Sequence, residues 1–290
     1  MDNNNEFIHE DEQQSSDFEP AQSQTVSPLR GFFWLERSLS DIYIPHFKSW
    51  FIAALVYSFI TNFIPALLPP TALVLAIINP ILIAGLLLGA HQVYKQQGDV
   101  KSLQMFEAFK HRTIGQLVLY TIAAITLVIG AILILMSIIG FETLNGIDVA
   151  RIEAGDEAYG LSVLKTMSHA IPWAALLVIL VSLATWFAVS LILFSNEKAI
   201  PAIGNSFVGG LKNFFAVLVF VIVLIVCMIA VVMISSLVLS MFSSLITSPY
   251  IQALINVVIN ALATPILIGV TYIAYREIFL GDITKSDKSL

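Results

Sequence analysis

The longest uncharged stretch of this chain lies between Lys212 and Arg276, where 63 consecutive residues include no Asp, Glu, Lys or Arg. It is the last of five long, nearly uncharged stretches between Ser49 and Phe279. A soluble protein of this size has too little interior to bury all of them, whereas a lipid bilayer accommodates them directly. The sequence therefore predicts a polytopic membrane protein.

Charge is concentrated in one terminal segment. Charged residues make up 12% of the chain, about half of what a soluble domain carries, and the formal net charge is −6. Residues 1–30 account for this imbalance, since they hold seven acids and a single base. This segment is rich in Asn, Gln and Ser and is predicted to be a disordered cytoplasmic tail. The membrane domain is predicted at 31–281 and a short cytoplasmic tail at 282–290.

Hydropathy and length predict six transmembrane helices of roughly 20 or more residues each. They are placed at Ser49–Leu68, Thr71–Gln92, Ile114–Phe141, His169–Phe194, Asn213–Ser240 and Tyr250–Tyr275. A turn near Thr247-Ser248-Pro249 is expected between the last two.

The distribution of basic residues predicts the orientation. With six spans, twelve Lys and Arg residues fall on the side of both termini, and only Arg151 and Lys165 fall on the other side. Basic residues mark the cytoplasmic side of membrane proteins. A third crossing after Lys212 would move Arg276 to the wrong side. Both termini are therefore expected to be cytoplasmic.

A short pattern repeats before spans one, three and five. It reads Ile44-x-x-Phe47-Lys48, Phe106-x-x-Phe109-Lys110 and Val208-x-x-Leu211-Lys212. Each copy ends a partly amphipathic stretch and precedes a long apolar segment. We expect an all-α membrane bundle of three transmembrane hairpins, each preceded by a short cytoplasmic interfacial helix.

Polar residues inside the predicted spans form a candidate site. Gln252, Asn256 and Asn260 recur every four residues and therefore lie along one face of span six. Asn62 in span one and Asn79 in span two complete this candidate intramembrane polar cluster. Such amides usually bond to a neighbouring helix, which is the preferred interpretation. The alternative is the lining of a path for a polar solute.

Prolines and aromatic residues have mainly structural interpretations. Pro80 and Pro265 each remove a helical hydrogen bond and are expected to kink spans two and six. Aromatic residues near the predicted span ends are expected to anchor at the lipid headgroups. These residues are Trp50, Trp173, Tyr250, Tyr272 and Tyr275.

Several of these motifs, taken in order, are similar to a known group of proteins. They are Gly31-Phe32-Phe33-Trp34, Asn79-Pro80-Ile-Leu-Ile-Ala-Gly85, Phe106-x-x-Phe109, Pro201-Ala-x-x-x-Ser206, Lys212-Asn213-Phe214-Phe215 and Tyr272-x-x-Tyr275-Arg276-Glu277-Ile278-Phe279. The chain resembles, from about Gly31 to Gly281, a family of uncharacterised proteobacterial six-span membrane proteins named after a Burkholderia locus and similar in layout to the YciC family. The resemblance implies location in the bacterial inner membrane and no established activity.

Catalytic chemistry has little support in the sequence. The five histidines are scattered, the one cysteine lies inside a span, and no catalytic or metal-ligand spacing occurs. We expect no enzyme activity, no cofactor and no nucleic-acid partner. Two functions remain open. The first is a scaffold or accessory protein that presents its cytoplasmic face to membrane lipids or a protein partner. The alternative is a carrier or binding protein for a lipid or other amphiphile, for which a cavity lined by Asn62, Asn79, Asn256 and Asn260 is required.

Overall fold

The computed structural model describes residues 22–241 and 248–281. All regular secondary structure in these ranges is helical, which confirms the predicted all-α class. The predictions for the first 21 residues of the acidic tail, for the tail at 282–290 and for Thr247 in the expected turn lie outside the described residues.

Six helical segments of the described chain are long and apolar enough to cross a membrane, as predicted. Spans one to six are Phe47–Leu67, Thr71–Tyr94, Ile114–Ile139, Glu157–Phe194, Phe214–Met233 and Tyr250–Phe279. The α-helices in chain order are α1 Arg30–Arg37, α2 Phe47–Ser58, α3 Ile64–Leu67, α4 Thr71–Tyr94, α5 Ile114–Ile139, α6 Phe141–Asn145, α7 Val149–Glu153, α8 Glu157–Met167, α9 Ile171–Thr185, α10 Ala188–Phe194, α11 Ala199–Lys212, α12 Phe214–Met241 and α13 Pro249–Phe279. Short 3-10 helices form at Gln104–Lys110 and Ser168–Ala170, and π-helical turns at Ser38–Tyr43 and Phe59–Phe63.

The segment between spans three and four is helical for local reasons. Gly140 ends α5 with a φ of 88°, a backbone conformation that glycine adopts at no steric cost. Asp148 and Asp156 then cap the next helices, since their side chains accept hydrogen bonds from the backbone N–H of Arg151 and Tyr159. Span four therefore begins at Glu157, before His169, where the sequence predicts its start.

The two ends of the bundle differ in charge. The basic end comprises α1, the connector 95–113, the loop 195–198, α11 and the last turns of α13. The distal end comprises the link 68–70 and the helices α6 to α8. Of the basic residues in the described chain, only Arg151 and Lys165 lie at the distal end; the basic end holds Arg30, Arg37, Lys48, Lys95, Lys101, Lys110, Arg112, Lys198, Lys212 and Arg276.

The packing of α1 organises the bundle. This helix lies between spans five and six, with Trp34 and Ser38 fully buried. It approaches closely because Gly31 has no Cβ, which would collide with the backbone of Ala216 in span five. On the other side, the Ser38 hydroxyl donates to the carbonyl of Ile266 in span six at 2.7 Å. We call the segments that precede spans one, three and five the three connectors; they contain α1, the Gln104–Lys110 helix and α11. The first connector, α1, is thus an interior element of the basic end.

The residues just before α1 are also ordered. The N–H of Gln24 donates to the carbonyl of Ile278 at 2.7 Å, and the N–H of Val26 donates to the side chain of Asn213 at 2.7 Å. Asn213 in turn donates to the carbonyl of Gln24 at 2.8 Å. The predicted boundary of the tail, at residue 30, therefore falls inside a segment that is bonded to the bundle.

The remaining spans pack unevenly. Span one lies mainly against span six, span two contacts spans three and six, and span three contacts span four. Span five packs mainly against α1. Most buried side chains belong to the basic half of the bundle, and span three contributes buried residues only in its first turns. The distal halves of spans three, four and five expose apolar side chains, as expected of surfaces that face hydrocarbon.

The aromatic residues correct one expectation. Tyr250 is exposed at the start of span six, where headgroup anchoring was predicted, while Trp173 is exposed in the first turn of α9, inside the observed span four. Trp50, Tyr272 and Tyr275, by contrast, are at most 1% exposed and belong to the core. The prediction was wrong for these three because α1 and the connectors cover the basic end of the bundle, so rings near the span ends face protein.

Each of the three connectors leaves apolar side chains uncovered at the basic end. In α1 the exposed ring is Phe32, while the Gln104–Lys110 helix exposes Phe106 and Phe109. In α11, Val208 and Leu211 are exposed. Their opposite sides pack on the bundle, so each connector has one protein-facing and one free apolar side.

Candidate functional site

A polar groove lies between spans one, two and six in the distal half of the bundle. Its volume is about 390 Å³. It is lined by Tyr57, Thr61, Asn62, Pro65, Ala72, Leu75, Ala76, Asn79, Asn260 and Thr264. The structure thus brings together three of the five residues predicted for the intramembrane polar cluster, Asn62, Asn79 and Asn260.

The wall from span one contains a π-helical turn at Phe59–Phe63. The Thr61 hydroxyl donates to the carbonyl of Tyr57 at 2.9 Å, and the Asn62 amide donates to the carbonyl of Ser58 at 3.1 Å. Such bonds from polar side chains to the preceding turn bend helices, and π-helical turns often mark functional sites. Asn62 itself stays exposed to the groove.

The wall from span two contains Asn79 and, next to it, Pro80, inside the continuous helix α4. The Tyr57 hydroxyl donates to the Asn79 side-chain oxygen at 2.8 Å, which joins spans one and two. Pro80 has no N–H, so it cannot donate to the carbonyl of Ala76, which also lines the groove. This leaves a backbone acceptor without its usual helical donor at the groove wall.

The wall from span six contributes Asn260 and Thr264, and Thr264 directly precedes Pro265. The Asn260 amide donates to the carbonyl of Asn256, one turn earlier, at 2.8 Å. Its hydrogen bond therefore stays within span six. The preferred interpretation was that these amides bond to a neighbouring helix. Asn79 does so, whereas the hydrogen bond that Asn260 donates stays within its own helix.

The other two predicted residues lie outside the groove lining. Gln252 and Asn256 are exposed on span six, closer to its distal end. The four-residue spacing correctly predicts a shared helix face. It does not indicate how far along that face the neighbouring spans extend.

The groove penetrates deeply into the predicted bilayer. At a rise of about 1.5 Å per residue, Asn79 lies about 12 Å from Thr71, at the distal start of span two. By the same measure Asn260 lies about 15 Å from Tyr250. The hydrocarbon core is about 30 Å thick, so the groove reaches roughly its middle. Exposed amides at this depth are costly without a polar partner.

None of the described residues that line the groove carries a charge. The lining instead offers amide donors and acceptors, hydroxyl groups and apolar surface from Leu75 and Pro65. It can therefore bind neutral polar groups, such as hydroxyls, esters or amides, that are attached to an apolar body.

A second polar cluster lies at the basic end and fixes α1. The carboxylate of Glu277, in span six, is fully buried. It forms an ion pair with Arg30 and accepts hydrogen bonds from Trp34 Nε1 at 2.8 Å and from Arg37 Nη1 at 3.1 Å. Sequence reasoning missed this cluster because Arg30 and Glu277 are 247 positions apart and each looks like an ordinary residue next to a span.

Among the described residues, no group of three or more His, Cys, Asp or Glu side chains is arranged to hold a metal ion. The six apolar helices are those of a multi-pass α-helical membrane protein. Comparisons of the chain with protein-family models, with curated proteins and with solved structures give no match.

Proposed function

We propose that this protein binds a lipid or another amphiphile, with the polar part of the ligand in the groove between spans one, two and six. The observation that carries this proposal is the meeting of Asn62, Asn79 and Asn260 in one open groove, which extends from the distal end of spans one and two toward mid-bilayer depth at Asn79 and Asn260. A bundle that serves only as a scaffold has no need of such a groove. The carrier or binding function, the alternative on sequence grounds, is therefore the one that the geometry favours.

The chemistry of the lining restricts the ligand. The groove has no charge to compensate an ionic headgroup at this depth, where an unpaired ion is strongly disfavoured. Hydroxyl, ester and amide groups match its donors and acceptors. Apolar parts of the ligand would extend past Leu75 and Ala72 toward the surrounding acyl chains.

The proposed setting is the bacterial inner membrane with the basic end in the cytoplasm. Support comes from the concentration of Lys and Arg at that end. The free apolar sides of the three connectors fit helices at the headgroup interface, each followed by a transmembrane hairpin. The resemblance to the uncharacterised six-span family stays a prediction and points to the same membrane. We assign no catalytic step to the protein.

The scaffold function is a second candidate, and one observation favours it. Span five packs mainly against α1 and exposes apolar side chains along most of its length, including Phe215, Ile222 and Val226. Such a span can pack against a protein partner as well as against lipid.

Native mass spectrometry of the protein extracted with its lipids tests both functions. We expect one retained amphiphile per wild-type chain and its loss in the variant Asn62→Leu/Asn260→Leu. Asn256→Leu is the matched control, because Asn256 lies one turn from Asn260 but outside the groove lining. A chain without a stoichiometric amphiphile would overturn the proposal, as would equal retention by the double variant. A retained protein instead of a lipid would favour the scaffold.

A further inference from the structure

A second cavity, of about 480 Å³, opens at the basic end between span two and the connector that follows it. It is unrelated to the groove of the proposed function and lies at the opposite end of span two. Most of its lining side chains carry nitrogen atoms. The lining residues are Leu88, His91, Gln92, Gln97, Lys101, Gln104, Glu107, Lys110 and His111.

The connector is held over the end of span two by backbone features. Gln96 and Gly98 have positive φ values and turn the chain back after span two. The Gln104–Lys110 helix then lies directly on span two, because a Cβ on Gly85 would collide with the backbone of Met105. The cavity is therefore formed by two elements in close contact.

The first imidazole at the cavity is held in place by hydrogen bonds. The Tyr272 hydroxyl lies 2.8 Å from His91 Nδ1, and its oxygen accepts a hydrogen bond from Arg276 Nη1 at 3.0 Å. Because Nδ1 is engaged by Tyr272, the second ring nitrogen, Nε2, is the one left for another partner.

His111 has the same arrangement. Its Nδ1 accepts from the backbone N–H of Thr113 at 3.4 Å, and an N–H can only donate. The Thr113 hydroxyl is 2.8 Å from the same nitrogen. Burial and the neighbouring Arg112 lower the pKa of His111, so the ring is neutral near pH 7 with its proton on Nε2.

The charges around the cavity favour an anion. Glu107 lies between two ammonium groups, at 3.4 Å from Lys101 Nζ and 4.0 Å from Lys110 Nζ. Among the described residues that line the cavity it is the only acid, and together they carry one excess positive charge. The cavity thus combines positive charge with imidazole and amide donors.

We propose that this cavity binds a phosphate group, carried by a phospholipid headgroup or present as free inorganic phosphate. A phosphate offers several acceptor oxygens and negative charge, which match the imidazole and amide groups and the two ammonium groups of the lining. The size of the cavity is that of a small-molecule site. The exposed rings of Phe106 and Phe109 beside it would lie among acyl chains, which brings lipid phosphates to the same depth.

Calorimetric titration of the full-length protein in neutral detergent tests this site, with short-chain phosphatidylglycerol in one arm and inorganic phosphate in the other. Lys101→Gln/Lys110→Gln should weaken binding about tenfold or more, because two charges near the anion are lost. Glu107→Gln should tighten binding several-fold, since it removes the only competing carboxylate. Lys198→Gln/Lys212→Gln is the control, because it removes the same charge at the basic end outside the lining, and it should alter binding less than about twofold.

Each outcome has a defined meaning. Saturable binding in both arms indicates a site for the phosphate group itself, and binding of the lipid alone indicates recognition of the headgroup in its membrane context; both support the site. If both double lysine variants weakened binding equally, the effect would be one of general surface charge, and the proposal would be overturned. Weaker binding by Glu107→Gln, or binding in neither arm, would also overturn it. The groove residues are unchanged in all variants, so these results are independent of the proposed amphiphile binding.

Discussion

At the scale of single residues, Glu277 combines full burial with three polar partners. Its carboxylate is fully buried and interacts with Arg30, Arg37 and Trp34. Glu277→Gln would leave two guanidinium groups near a neutral amide. Removing one partner of a buried ion pair costs about 3–5 kcal/mol, and we expect a loss of that size in the free energy of unfolding. Unfolding in mixed micelles with increasing sodium dodecyl sulfate measures it.

Glu107→Gln is the matched control for Glu277→Gln, because Glu107 also contacts two basic side chains but is partly exposed. Exposed ion pairs contribute only about 0–1 kcal/mol, so the control should unfold nearly like the wild type. Similar stabilities of the two variants would show that the buried cluster does not hold α1 in place.

The residues of the candidate sites differ in how far the sequence could predict them. The regular spacing of Gln252, Asn256 and Asn260 predicts their shared helix face, because helical periodicity is a local property. Whether that face meets another helix depends on lateral packing, which leaves no periodic signal. The ion pair of Arg30 with Glu277 likewise joins distant positions, and nothing near either residue indicates its partner.

At the scale of elements, the position of α1 depends on the absence of a side chain at Gly31. A methyl group there would collide with the backbone of Ala216, and a backbone cannot move aside as a flexible side chain can. Gly31→Ala should therefore destabilise the bundle by about 1–3 kcal/mol, the usual cost of overpacking. Thermal unfolding in detergent, followed by the fluorescence of the buried Trp34 and Trp50, measures the change.

Gly130→Ala provides the control for Gly31→Ala. Gly130 lies in span three, and a Cβ built there meets no other atom within 4 Å. Because alanine is a better helix former than glycine, this variant should be unchanged or up to about 1 kcal/mol more stable. Equal destabilisation of both variants would indicate that any added methyl group disturbs these helices, and that α1 is not specially fitted.

The sequence predicts α1 as an element but not its partners. Its apolar spacing indicates a helix with one apolar face, and an interfacial position satisfies that pattern as well as an interior one. The structure buries Trp34 and Ser38 on a side that includes a glycine and a serine. Small residues allow helices to approach closely in membranes, so Gly31 and Ser38 are the available signal for interior packing.

At the scale of the whole molecule, hydropathy predicts the number of spans, and the positions of the charges predict that the basic residues gather at one end of the bundle. Both depend on summed properties of long segments, which a sequence contains in full. The arrangement of the spans is different, because lipid and a neighbouring helix are equally apolar environments for Leu or Val. This is why six spans could be predicted, while the packing of span one on span six and of span five on α1 could not.

The orientation of the molecule gives the last prediction. Seven of the ten basic residues that the described chain has at the basic end are exposed, and each of these seven would be stabilised by about 1 kcal/mol next to an anionic cytoplasmic leaflet. A cysteine in place of Ser102 should therefore face the cytoplasm, and one in place of Ala154 should face outward, both in a Cys227→Ser background. In intact spheroplasts, a membrane-impermeant maleimide should label Ala154→Cys only, and lysis should add labelling of Ser102→Cys. The cysteine-free parent controls for background. Labelling of Ser102→Cys before lysis would reverse the proposed orientation and place the phosphate cavity outside the cell.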